Sequence, residues 1–380
     1  LSKLAQNFYT KAKDIDLIAV TGTNGKTSVS HYISQLLDFL EVDNGVIGTL
    51  GISKVDKKSV NTTPDIFSIY SSLEEYWNQG IKLAIIEASS HALIQDRLEG
   101  LSFIQGIFTN LTQDHLDYHE TMDNYREAKV KLFKNDFSKK AIINRDDESH
   151  QYFLDNASDK NPITFGLDDL EFFKNSENGF ICQLNNYVFE LPLVGEFNLS
   201  NAMAAYQSVK CLGYSDDQII PFLAKLSPPP GRMQQLENSH IWIDYAHTPD
   251  ALDNALSTLK THYPEFKIRV IFGCGGDRDK GKRQIMGKIA SETADSIILT
   301  NDNPRSEDPQ SIVDDILAGT KVENDVQVIL DRGDAIQSAV QTLGEEEALL
   351  IAGKGHETTQ VIGSKTLQFS DIEVALNALN

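Results

Sequence analysis

Short runs of β-branched and aliphatic residues alternate along this chain with longer stretches whose apolar positions recur three and four residues apart. The short runs predict strands and the longer stretches amphipathic helices. Their alternation predicts an α/β fold built on mainly parallel sheets. Strands are expected at Leu17–Val20, Leu83–Glu87, Gly106–Thr109 and Ala141–Asn144, and in a second series at Ile241–Asp244, Arg269–Phe272, Ser296–Thr300 and Ala348–Ala352. The stretch from Ile163 to Leu193 reads as short antiparallel strands, a sheet appended to the first domain. Between the two series stands Leu226-Ser-Pro-Pro-Pro-Gly-Arg232. Three successive prolines continue neither a helix nor a central strand, so the boundary is placed near Pro230, with domains at 1–230 and 231–380.

The polar residues cluster where the strands end. Thr21-Gly-Thr, Glu87-Ala-Ser-Ser-His, Thr109-Asn, Asp244-Tyr-Ala-His, Gly273-Cys-Gly-Gly-Asp, Asp302-Asn-Pro-Arg and Gly353-Lys-Gly-His-Glu each follow an expected strand directly. Open α/β sheets bind ligands outside the carboxyl ends of their strands. A ligand site is therefore expected there, between two facing domains.

Composition narrows the classes. A chain of 380 residues exceeds one ordinary core, and its 41 % apolar and 23 % charged content is that of a globular protein. No run approaches the roughly 18 apolar residues of a membrane span, and the N-terminus has no signal-peptide pattern. Cys182, Cys211 and Cys274 are too few and too scattered for a disulfide framework or zinc cluster, which suits a reducing cytoplasmic setting. A net charge of −21 argues against a nucleic-acid binder. Anionic ligands would have to be met by cations gathered in clefts.

One such cation follows the first strand, in Thr21-Gly-Thr-Asn-Gly-Lys-Thr27, which leads into a helix expected to run to about Leu40. Gly22 and Gly25 allow the backbone of Thr23 and Asn24 to wrap phosphate oxygens, Lys26 adds a fixed charge, and Thr27 is placed for Mg²⁺. The spacing between the glycines is two residues rather than the usual four, and the plain alternative is a glycine-rich turn. Glu87, ending its strand, is a candidate metal carboxylate; the alternative is a salt-bridged or capping residue. His115 in Asp114-His-Leu-Asp-Tyr-His119 is a second candidate ligand, against a merely hydrogen-bonded histidine. On composition alone, Lys129 reads as a solvated surface lysine.

Taken together, these segments resemble the Mur ligases: the glycine–lysine loop, Glu87-Ala-Ser-Ser-His91, Asp114 to His119, Asp244-Tyr-Ala-His-Thr-Pro-Asp250, Asp302-Asn-Pro-Arg305 and Gly353-Lys-Gly-His-Glu357 occur in order over nearly the whole chain. The resemblance implies an ATP-binding central domain followed by a Rossmann-like C-terminal domain. It also implies a further N-terminal domain for the uridine diphosphate part of the acceptor. Only sixteen residues precede the first expected strand, so acceptor recognition by this chain alone is expected to be incomplete.

The activity implied is ATP-dependent addition of meso-diaminopimelate to a UDP-muramoyl-dipeptide through an acyl phosphate, by a cytoplasmic monomer. By that resemblance Lys26 neutralises phosphate charge, Thr27, Glu87 and His115 hold Mg²⁺, and Lys129 carries a carbamate that serves as a further metal ligand. Asn198, Asn201 and Arg232 line the nucleotide, with Asp244 and His247 closing over it. Thr62, Thr63, Ser89, Gln95 and Arg97 contact the acceptor, the plain alternative for the threonines being a turn before Pro64. Arg278, Asp302, Asn303, Pro304, Arg305, Gly353 and Glu357 form the amino-acid pocket, with Arg278 and Arg305 for carboxylates and Glu357 for an ammonium. The alternative for Arg305 is a solvent-facing turn residue. Competing functions are a folylpolyglutamate synthase, a cyanophycin-synthetase-like ligase and a nucleotide-gated binding protein without ligation.

Overall fold

The computed structural model describes residues 1–55, 61–134, 137–176, 178–236, 239–321 and 325–379. They form two compact units, Leu1–Ser227 and Pro228–Asn380.

In the first unit, strands β1 (Asp16–Thr21), β2 (Asn44–Gly48), β3 (Gly51–Ile52), β4 (Leu83–Glu87), β5 (Gln105–Phe108), β6 (Ala141–Asn144) and β7 (Ile163–Phe165) form one sheet in the order β3-β2-β4-β1-β5-β6-β7. All its pairings are parallel except β2 with β3. Helices α1 (Ser2–Phe8), α2 (Lys26–Phe39), α3 (Ile66–Asn78), α4 (Ser90–Ile94), α5 (Leu116–His119), α6 (Met122–Val130), α7 (His150–Asn156), α8 (Glu196–Cys211) and α9 (Asp216–Leu223) accompany it. Side chains alternate across a strand, so Ile18 and Val20 join one core with α2 and α8, while Leu17 and Ala19 join another with α3. Burial on both faces explains why the central strands read as unbroken apolar runs.

One expectation is corrected here. The run from Ile163 was expected to be antiparallel throughout, yet β7 extends the main sheet in parallel with β6. Only β8 (Phe172–Ser176), β9 (Gly179–Leu184) and β10 (Tyr187–Leu191) form the separate antiparallel sheet. Strand β2 was not anticipated, because Asp43-Asn-Gly45 reads as a turn. Gly45 is accommodated in the strand because Tyr76 lies against it: a Cβ there would sit 2.4 Å from the ring.

In the second unit, β11 (Gln234–Gln235), β12 (Ile241–Asp244), β13 (Lys267–Phe272), β14 (Ser296–Leu299), β15 (Asp325–Val328) and β16 (Glu347–Ala352) form a sheet in the order β11-β12-β16-β13-β14-β15. It is parallel apart from β11. Helices α10 (Pro249–His262), α11 (Gly281–Thr293), α12 (Pro309–Leu317), α13 (Arg332–Gln341) and α14 (Asp371–Leu379) belong to this unit, together with a hairpin of β17 (Thr359–Ile362) and β18 (Lys365–Gln368). Ile243, Ile271, Ile298 and Ile351 pack with Ile336 of α13 in its core. No helix among the described residues is long and apolar enough to cross a membrane.

Candidate active site

The loop from Gly22 to Gly25 turns from the buried strand β1 into the N-terminus of α2, where Gly25 adopts a left-handed φ of 84°. It is packed from beneath. A Cβ on Gly22 would lie 1.8 Å from Thr109 Oγ1, and one on Gly25 2.4 Å from Asn201 Oδ1. Thr23 and Asn24 are held by the segment after β5: the Thr23 amide donates to the Asn110 carbonyl at 2.9 Å, and the Asn24 amide to Asn110 Oδ1 at 2.8 Å. Thr109 Oγ1 donates to the Asn24 carbonyl at 2.6 Å. Thr109 and Asn110 stood in a polar cluster of the sequence, but nothing there marked them as the loop's braces.

Lys26 folds back on the loop, its Nζ donating to the carbonyls of Gly22 and Thr23 at 2.9 and 2.8 Å. Thr27 Oγ1 donates to Glu87 Oε2 at 3.0 Å. Glu87 is buried and also accepts from the Thr49 amide and hydroxyl at 3.0 and 2.9 Å. Thr49, unremarked in the sequence, thus fixes the carboxylate that faces Thr27.

Lys129, on α6, is 1 % exposed, which corrects its reading as a solvated lysine. Its Nζ donates to the Gly22 carbonyl at 2.7 Å and lies 4.2 Å from the centre of the Tyr125 ring. Burial, and then the neighbouring charge of Lys26, hold its pKa well below the ordinary lysine value, with Asp114 pulling the other way. The Tyr125 ring also neighbours His115, at 6.1 Å between centroids. His115 takes a left-handed backbone, and its Nε2 lies 3.3 Å from Asp114 Oδ2. Burial lowers the His115 pKa against the pull of Asp114, so near neutrality the ring has a lone pair to offer a metal.

The five acceptor candidates form one network. Thr62 Oγ1 meets Thr49 Oγ1 at 3.1 Å, and Thr63 Oγ1 donates to the Glu87 carbonyl at 2.6 Å and meets Ser89 Oγ at 3.0 Å. Arg97 donates to the Thr63 carbonyl at 2.7 Å and to Gln95 Oε1 at 2.5 and 3.0 Å. Thr63 is fully buried. Asn198 is buried too, between the Tyr32 hydroxyl and the Val194 carbonyl.

In the second unit, Asp244 is half-buried and accepts the amides of Met233 and Ala246 at 2.6 and 2.8 Å, while desolvation raises its pKa. The Arg232 guanidinium lies 4.6 Å from the centre of the Tyr245 ring, and the Tyr245 carbonyl meets His247 Nδ1 at 2.9 Å. Among the described residues Arg232 Nε and His356 Nδ1 are buried without a hydrogen-bond partner, a pair of orphaned polar atoms whose side chains both neighbour the Tyr245 ring.

At the far ends of β14 and β16 the other candidates gather. Asn303 Nδ2 donates to Glu357 Oε2 at 3.2 Å, and Lys354, absent from the sequence-derived set, donates to both residues. Pro304 is buried, and Gly353 has a left-handed φ of 115°. Arg305 pairs its backbone with the hairpin at Ile362, and its Nη1 donates to the Gly276 carbonyl at 2.8 Å. Arg305 is half-buried, its guanidinium tied through Nη1 alone among the described residues. Arg278 is exposed on the loop after β13.

These residues fit a nucleotide phosphate with Mg²⁺: a glycine loop too tightly braced to admit side chains, an ammonium, and a buried threonine–glutamate pair. Among the described residues no three His, Cys, Asp or Glu side chains group for a metal, so hydroxyl and backbone oxygens would have to contribute.

Residues 20–209 match the Mur ligase middle domain, and residues 231–355 the Mur ligase glutamate ligase domain. The chain is 39 % identical to the UDP-N-acetylmuramoyl-L-alanyl-D-glutamate–2,6-diaminopimelate ligase of Haemophilus influenzae over all of its own length and 81 % of that protein. It is 41 % identical to the Rickettsia rickettsii enzyme of the same name, over 97 % of this chain and 80 % of the relative. A solved structure of a ligase with that name superposes with a TM-score of 0.70 at 36 % identity, covering 100 % of this chain and 80 % of the other. The folylpolyglutamate synthase of Mycobacterium tuberculosis, complexed with ADP, superposes at 0.75 but with 18 % identity, over 93 % and 91 % of the two chains, which is a likeness of fold.

Proposed function

This chain belongs to the Mur ligase family, and on that premise we propose that it is an ATP-dependent, ADP-forming ligase joining meso-2,6-diaminopimelate to UDP-N-acetylmuramoyl-L-alanyl-D-glutamate in peptidoglycan synthesis. One observation carries the reading. The braced loop, the Thr27–Glu87 pair and the buried Lys129 occur together in a chain that aligns along its length with ligases of that name.

Joining a carboxylate to an amine in water needs activation. In this reading the acceptor carboxylate attacks the γ-phosphorus of ATP, the bond to the β–γ bridging oxygen breaks, and an acyl phosphate and ADP form. The amine then adds to the acyl carbon, and the tetrahedral intermediate collapses to the amide with loss of phosphate and a proton. Phosphoryl transfer depends on position and charge. Lys26 moves from the loop carbonyls to the phosphate oxygens. Thr27 and Glu87 would hold Mg²⁺, which would neutralise phosphate charge, and His115 would hold a second ion. Lys129, as its carbamate, supplies a further anion; its burial and lowered pKa support this, because only a neutral amine adds to carbon dioxide. Arg232, Asp244 and His247 serve the nucleotide with Asn198 and Asn201, and Arg97 with its network serves the acceptor. Cytoplasmic location and a monomeric state belong to the same reading.

The test is turnover with UDP-N-acetylmuramoyl-L-alanyl-D-glutamate and a panel of amino acids. ADP and a tripeptide-bearing product should appear together, and only with diaminopimelate at a substantial rate. ADP release that ignores both substrates would replace the ligase by a nucleotide switch, and transfer of glutamate to a folate would replace it by the folate enzyme.

A further inference from the structure

Lys354 lies in the loop after β16, and its side chain is fully buried. An ammonium in such a place is costly unless each of its protons finds an acceptor. Lys354 Nζ has three acceptors for its three protons: Glu357 Oε2 at 2.9 Å, Asn303 Oδ1 at 3.1 Å and Asp302 Oδ1 at 3.4 Å. Two of these stand across the sheet. Strand β13 separates β16 from β14, so the residues after the two strands start about 10 Å apart. A long side chain is required to join them.

What the lysine does to its neighbours follows from donor chemistry. Lysine only donates, and so does the backbone amide of Val361, which reaches Asn303 Oδ1 at 2.9 Å. Asn303 must therefore turn its oxygen toward both, which leaves its amide nitrogen aimed at Glu357 Oε2. The same Oε2 accepts from Lys354, so both internal contacts fall on one carboxylate oxygen. Oε1 has no partner among the described residues. Asp302 and Glu357 set two carboxylates against the single ammonium of Lys354, and Asp302 Oδ1 takes Lys354 and Asn303 at 3.4 Å each. The cluster so keeps a net −1 with Asp302 Oδ2 and Glu357 Oε1 unused, the latter on the more exposed side chain, 31 % against 12 %.

We propose that Lys354 is a positioning residue for amino-acid recognition: it sets the amide of Asn303 and the carboxylate of Glu357 so that Glu357 Oε1 is presented to an ammonium group of the incoming amino acid. This rests on the reading of these loops as the diaminopimelate pocket. It assigns Lys354 to neither ATP nor the reacting carboxylate.

The experiment measures steady-state kinetics of the whole chain for Lys354→Met, Lys354→Arg, Glu357→Gln and the double variant Lys354→Met/Glu357→Gln, each checked for folding by circular dichroism. Loss of the lysine leaves Asn303 and two carboxylates without their donor, and the diaminopimelate KM should rise by about tenfold or more while the ATP KM stays within about twofold. Lys354→Arg, which keeps charge and donors, should recover part of the loss. In the Glu357→Gln background the further Lys354→Met change should alter KM by less than about twofold, because the route of action is already gone. Should Lys354→Met not fold, Lys354→Gln takes its place under the same expectations. If Glu357→Gln raises the diaminopimelate KM and Lys354→Met does not, or if the two effects multiply in the double variant, the positioning role is overturned. If Glu357→Gln itself leaves that KM unchanged, it is the pocket reading that falls.

Discussion

Lys129 and Lys26 place their ammonium groups on one acceptor, the Gly22 carbonyl, at 2.7 and 2.9 Å. Two cations on one oxygen repel, and the buried one yields: its pKa falls through burial first and Lys26 second. A neutral amine is then available at a pH where an exposed lysine would be protonated. Activity should therefore depend on carbon dioxide and decline toward acid, as protonation of Lys129 removes the nucleophilic amine. Lys129→Ala should lose activity by roughly a hundredfold and regain part of it with added formate or acetate. Phosphate release in carbonate-depleted buffer checks this, together with a ¹³C carbamate signal in wild type. Full activity of a chain lacking that signal would refute the carbamate.

Lys26 should matter to rate more than to fold. Two of its hydrogen bonds go to backbone carbonyls of its own loop, for which water can substitute, while a phosphoryl group in transfer has no such substitute. Lys26→Met should lower kcat by about 10² to 10³ with an unchanged circular dichroism spectrum. A folded variant with normal turnover would remove the loop from the phosphoryl-transfer step.

His356 gives a pH dependence with a definite sign. Its buried Nδ1 has no partner among the described residues, and burial with the charge of Arg232 pushes its pKa down to about 4. Between about 4 and the ordinary 6.5, the unfolded chain binds a proton here that the folded chain refuses. Stability therefore rises with pH across that window and is lost as pH falls from 6.5 toward 4. His356→Gln cannot titrate, so the gap between its melting temperatures at pH 7 and pH 5 should be smaller than in wild type. An identical gap would show that His356 is as easily protonated folded as unfolded.

How much of this could be read from the sequence depends on what each residue needs from its surroundings. The central strands were legible because burial on both faces leaves unbroken runs such as Leu83-Ala-Ile-Ile, and the polar loops were legible because they follow those runs. Strand β2 was not, since Asn44-Gly45 carries a turn signal; the strand is stabilised by Tyr76 on the glycine and by Ser34 and Asp38 on the Asn44 side chain. The burial of Lys129 and Lys354 was hidden for a related reason. A lysine is buried only where distant partners accept its protons, and Gly22, Asn303 and Asp302 are far from them in the chain. Thr49 and Asn110 are ordinary polar residues until the fold sets them against Glu87 and Asn24.

Choice of amino acid should rest on Arg305. Its backbone has a left-handed φ of 52°, uncommon for a residue with a side chain, and is held there by exchange with the hairpin: the Arg305 amide donates to Val361, and the Gly363 amide donates to Arg305. Of the guanidinium, Nη1 is committed to the Gly276 carbonyl at 2.8 Å and approaches that of Asn303 at 3.4 Å. Nε and Nη2 have no partner among the described residues, and they form the edge with which arginine grips a carboxylate through two parallel bonds. Diaminopimelate brings a carboxylate at the far end of its side chain, where lysine has none. Lysine would leave that half-buried edge to water in place of a carboxylate, and loss of the two charge-assisted bonds should give discrimination of about tenfold or more. Ligation of meso-diaminopimelate and L-lysine by wild type and Arg305→Ala is the comparison that decides. The variant should lose most of its preference, chiefly by a fall in kcat/KM for diaminopimelate. An unchanged preference would assign the distal carboxylate to another cation, with the exposed Arg278 the first to examine.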